Sequence, residues 1–111
     1  MKATLVEIPV REIVDRDSFH TVFRAVLGFP EFYGRNLDAW IDCMRTVDNP
    51  AAGMVSVTVE PGVLMVLVID SAEDLRRRCP QEYEALIDCV TAVNQDRVSG
   101  GLPPVLALAF G

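Results

Sequence analysis

The sequence is poor in residues that do chemistry. It has 111 residues, with one histidine and three cysteines among them. Cys43, Cys79 and Cys89 cannot all pair within the chain, and they show neither C-x-x-C nor zinc-ligand spacing. Reduced thiols are expected, which fits a cytoplasmic location. His20 lies in a helical pattern and reads as a surface or packing residue, so no metal site is expected. No GxxxxGK[ST] phosphate loop and no G-x-S-x-G elbow occur, and "GRNLDAW" lacks the glycine triplet of a dinucleotide site. His20 and Cys43 could form a thiol nucleophile pair, but nothing in the sequence brings them together. The expectation is a non-enzyme without cofactor.

Long hydrophobic runs are missing too. "VLMVLVI" falls far short of the roughly 20 residues of a membrane helix. The start, "MKATLVEIPVRE", turns charged too soon for a secretory leader. Positive charge is scarce, and the formal net charge is -6. Direct nucleic-acid binding, which needs Lys and Arg on the phosphates, is therefore not expected. An acidic face suits a basic partner, although negative charge also serves solubility.

What is present is a folded α/β pattern. Half of the residues are hydrophobic, and the length suits one domain over residues 1–111. Residues 3–8 read as a strand ended by Pro9. In "DSFHTVFRAVLG", Phe19, Val22, Phe23, Val26 and Leu27 share one helical face, with Asp15 or Asp17 as cap and Gly28 as stop. A second helix starts at Asn36, with Leu37, Trp40, Ile41 and Met44 as its apolar stripe. The loop "DNPAAG" follows.

"MVSVTV", residues 54–59, alternates like a hairpin arm or edge strand. Residues 63–69 are apolar on both faces, the pattern of a strand covered from both sides. "SAED", residues 71–74, resembles a capping box that opens a short helix, which Pro80 ends or resets. "QEYEALIDCVTAVNQ" is a longer helix that buries Tyr83, Leu86, Ile87, Val90 and Val93. "VLALAF" is a last strand. Strands separated by helices imply a small sheet of three main parallel strands with right-handed crossovers. Cys43 and Cys89 border apolar stripes and should be buried, with Cys79 the most exposed of the three.

The informative stretch is "FPEFYGRNLDAWIDCM", residues 29–44. Asp38 and Asp42 stand one helical turn apart, away from the apolar stripe. Like charges at this spacing repel by a few tenths of a kcal/mol. Asp38 recovers part of that from the helix dipole, and Asp42 recovers less. The pair reads as a solvated acidic face, as anions held for a cationic partner, or as carboxylates for acid–base work. The last needs a cleft, which an exposed helix face does not offer.

Pro30, Glu31, Phe32, Tyr33, Gly34, Asn36, Leu37, Asp38, Ala39, Asp42 and Cys43 together resemble the signature of the barstar family, intracellular inhibitors of secreted ribonucleases such as barnase. The match is gap-free over this stretch, and the rest of the chain agrees in element order. The resemblance implies a three-stranded parallel sheet flanked by helices. It also implies a monomer that meets a basic ribonuclease one to one. The expected contact set is Tyr33, Gly34, Asn36, Asp38, Ala39, Asp42 and Arg45. Asp42 would occupy the phosphate position of the enzyme, Asp38 would add a second anion, and Tyr33 would pack at the rim. Gly34 would allow close approach, and Asn36 would chiefly cap the helix.

Several positions depart from the familiar pattern. Phe32 replaces a tyrosine. The tryptophan is Trp40, with Ile41 where the familiar inhibitor has it. Arg35 and Arg45 are placed to pair with Asp38 or Asp42, or to select another enzyme. The segment 48–62 is longer, and no acid aligns with the glutamate of the last helix, Glu84 and Asp88 lying earlier. Two other readings stand beside inhibition. One is a barstar-fold interaction module for another basic partner. The other is a ligand-binding domain using the helix start at "SAED", where the acids disfavour an anion.

Overall fold

A computed structural model describes residues 2–111. Three strands, β1 (Ala3–Glu7), β2 (Leu64–Ile69) and β3 (Leu106–Phe110), form one parallel sheet in the order β1-β2-β3. Four α-helices connect them: α1 (Arg16–Leu27), α2 (Leu37–Met44), α3 (Ala72–Arg78) and α4 (Pro80–Ser99). The α/β fold with a central apolar strand is the one expected. Val66 pairs with Leu5 on one side and Ala107 on the other.

Local chemistry sets the helix limits. Asp15 caps α1 by accepting from Ser18 N at 2.8 Å, and Ser18 Oγ accepts from Asp15 N at 3.0 Å. Gly28 stops α1 in the left-handed region, at φ 70°. A Cβ there would also lie 2.4 Å from Ser56 Oγ, so two constraints require glycine. Pro80 opens α4 at its first turn, where its missing N–H is harmless.

The helices cover one face of the sheet. Met65, Leu67 and Ile69 are fully buried, whereas the alternate residues Leu64, Val66 and Val68 are half-buried and Leu5 is 68% exposed. Apolarity on both faces of residues 63–69 therefore does not mean cover on both faces. The reason is topological: two right-handed crossovers that step the same way along the sheet leave their helices on the same side.

Three further expectations are corrected. Residues 54–59 form no strand. Ser56 N and Val57 N donate to Leu27 O, and Val59 N to Val47 O, so the segment closes the ends of α1 and α2 and buries Val59. The alternation records packing without a ladder. Ser71 does not cap α3, because its backbone is left-handed at φ 60° and its hydroxyl makes no cap bond. Asp74 pairs instead with Arg78, Nε to Oδ2 at 2.7 Å. Cys79 is buried like Cys43 and Cys89, its thiol 3.5 Å from Ile13 O. Arg78 closes over it by donating to Ile13 O and Val10 O.

Candidate functional site

The site is built around α2. Asn36 is its N-cap, accepting from Ala39 N at 2.7 Å. Trp40, Cys43 and Met44 point into the core, and Trp40 meets Phe23 edge to face at 5.5 Å. Ile41 is half-buried, and Leu37 is 41% exposed, so the stripe read from the sequence is shorter at its start. With that side committed to the core, Asp38 and Asp42 face outward and are exposed. Among the described residues Asp38 has no hydrogen-bond or ion-pair partner from a side chain.

The loop before α2 is fixed from below. Phe29 and Tyr33 are buried, their rings 4.7 Å apart. Tyr33 Oη is hydrogen-bonded to His20 Nδ1 inside the protein. Tyr33 thus faces inward in the free chain, and Phe32, 72% exposed, is the aromatic presented to solvent. Burial raises the Tyr33 hydroxyl well above its ordinary pKa. Burial also lowers the pKa of His20, helped by the positive charges of Arg35 and Arg16.

Arg35 locks the turn into α2. It is left-handed at φ 52°, an uncommon state for a side-chain-bearing residue. Its Nη2 donates to Asp17 O at 2.8 Å, Asp17 Oδ1 at 2.7 Å and Thr21 Oγ1 at 2.8 Å, all on α1. The pairing of Arg35 with Asp38 or Asp42 is therefore replaced by pairing with Asp17. Gly34 is exposed and outside the left-handed region; a Cβ there would sit 3.3 Å from Asn36 Nδ2, so glycine leaves room for the capping side chain.

Arg45, just past α2, places Nη2 3.1 Å from Asp42 Oδ1 and Nη1 3.7 Å from Asp96 Oδ2. Asp96, on α4, is the acid that sequence reading missed. Its signal was present in "VNQD", but its neighbourhood to α2 depends on how the helices pack. Behind it, Arg97 is buried and grips Asp48 at 2.9 and 2.7 Å. The same guanidinium donates to Arg45 O and Pro103 O, tying α4 to the end of α2. Glu84 and Asp88 are exposed earlier on α4.

The site offers carboxylates on a braced helix and little else. Burial, then the negative charge of Asp42, pushes the Cys43 thiol up to about 11; burial with Asp88 and Asp38 does the same to Cys89. Such thiols stay protonated near neutral pH. His20 Nδ1 is taken by Tyr33 and its buried Nε2 has no hydrogen-bond partner, so the Cys43–His20 pair is not assembled. Among the described residues no cluster of metal-ligating side chains occurs, and no helix is long and apolar enough to cross a membrane.

The family model described as Barstar (barnase inhibitor) matches residues 3–108. The chain belongs to the barstar family. No curated protein sequence matches it.

Proposed function

We propose that this barstar-family chain is an inhibitor of a basic ribonuclease, presenting Asp42 and Asp38 to the positive cleft that normally holds RNA phosphate. The observation that carries the reading is the pair of exposed carboxylates on a helix whose entry loop is bolted to α1 through Tyr33–His20 and Arg35–Asp17. A carboxylate held this way can accept hydrogen bonds from Arg and His of the enzyme without first being ordered. Asp42 is the central anion and Asp38 the second. Phe32 supplies an apolar contact, and Ala39 and Gly34 leave room for close approach. Asn36 acts as the cap, and Tyr33 supports the loop from beneath.

In this reading the chain is not an enzyme, needs no cofactor, is monomeric when free and binds its target one to one. It works in the cytoplasm, where a nuclease must be neutralised as it is made. Fast association steered by the net charge of -6 suits that task and is slowed by salt. The test is titration of purified protein into barnase and other basic ribonucleases during RNA cleavage. Stoichiometric loss of activity supports the reading. Full activity throughout, with binding to some other basic protein, would favour the interaction-module alternative.

A further inference from the structure

Arg45 occupies an unusual place for a cation on an acidic surface. Its Nη2 is 3.1 Å from Asp42 and its Nη1 3.7 Å from Asp96, so one guanidinium spans a carboxylate of α2 and one of α4. The three side chains keep 45%, 57% and 52% of their surface exposed, in the order Arg45, Asp42, Asp96. Arg45 is the C-cap of α2, and Arg97 holds its carbonyl, so the backbone there is fixed independently of the Arg45 side chain.

We propose that Arg45 is an internal stand-in for an arginine of the bound partner: it masks Asp42 in the free chain and is displaced when a partner guanidinium enters between Asp42 and Asp96. The identity of that partner rests on the inhibitory reading above, whereas the exchange itself does not. The Arg45 side chain marks the position that the incoming group would take. One nitrogen of the planar fork hydrogen-bonds Asp42 at 3.1 Å, and the other stands 3.7 Å from Asp96 on α4, an ion-pair distance that a better-seated guanidinium would close. A lysine ammonium is a compact point charge and cannot meet both so well. The pair therefore selects for arginine over lysine. Exposed ion pairs of this kind are weak, so the mask tunes affinity without blocking it. Asp38 carries no such mask, so discrimination is concentrated at Asp42.

The test begins on the free protein. Side-chain carboxyl NMR signals of Asp42 and Asp96 are followed during titration with argininamide or lysinamide. In Arg45→Gln, argininamide should shift both signals together, at about fivefold lower concentration than in wild type. Lysinamide should act more weakly and without that concerted shift. Equal responses to the two probes, or a response of Asp42 without Asp96, would overturn the proposal.

Binding to barnase is the second arm. Arg45→Gln should bind about fivefold more tightly than wild type. Arg77→Gln, which removes the same charge from the exposed side of α3, should not. Weaker binding by Arg45→Gln would make Arg45 a contact in its own right and overturn the proposal. A wild type that leaves barnase untouched fails the inhibitory reading with that enzyme, and the argininamide titration then decides the exchange alone.

Discussion

Arg97 holds Asp48 with two hydrogen bonds, Nη1 to Oδ1 at 2.9 Å and Nη2 to Oδ2 at 2.7 Å, although 49 residues separate them. The Arg97 side chain is 2% exposed and that of Asp48 17%. Its remaining donors reach Arg45 O and Pro103 O, so one side chain joins the end of α2, the end of α4 and the loop into β3. The relative placement of Asp42 and Asp96 depends on this junction.

Removing one member of a buried pair leaves the other charge stranded. Arg97→Ala should lower unfolding free energy by about 3–5 kcal/mol, seen as a shift of the urea midpoint. Replacing both residues with apolar ones of similar volume should cost less than Arg97→Ala alone. A fully additive double variant would contradict a coupled pair.

Acid should destabilise the fold through His20. Its folded-state pKa lies below the unfolded value of about 6.5, because burial and two nearby arginines disfavour the charged ring. Above that value both states are neutral and stability is flat with respect to this group. As pH falls below it, the unfolded chain takes up a proton that the folded chain resists, and stability declines until the folded pKa is reached. Urea midpoints between pH 7.5 and 5, compared for wild type and His20→Gln, check the sign. The wild type should lose more across that window than the variant.

All three thiols should label slowly in the native protein. Cys43, Cys79 and Cys89 are each buried, and those of Cys43 and Cys89 are pushed up to about 11. Labelling of Cys79 should accelerate in Arg78→Ala, which removes the side chain beside it. Thiol counting with and without denaturant tests this, and rapid native labelling of all three would contradict it.

The sequence was most legible where the governing interaction was local. Asn36 capping α2, Gly28 stopping α1 and the outward pointing of Asp38 and Asp42 follow from spacing within a turn or two. The central place of β2 followed from its apolar run, but its half-open second face did not, because cover depends on which way the crossovers step. Residues 54–59 misled for a related reason: alternation marks alternate burial, and their backbone bonds go to Leu27 and Val47. Ser71 looked like a cap by residue type, whereas its backbone is left-handed and its hydroxyl makes no cap bond. Asp96 and the Asp48–Arg97 pair were hidden because helix packing, not spacing, brings them to α2.

The central claim is that Asp42 is the anion on which partner binding turns. Titration calorimetry of wild type, Asp42→Ala and Asp38→Ala against a ribonuclease that the wild type inhibits tests it directly. Asp42→Ala should weaken binding by about 2–5 kcal/mol, the general range for truncating one member of a buried charge pair, to which the barnase–barstar complex itself contributed. Asp38→Ala should cost less, because screening is stronger nearer the rim. Both variants should unfold at wild-type urea concentrations, since both side chains are exposed in the free chain. If Asp42→Ala bound as tightly as wild type, this account of the site would be wrong.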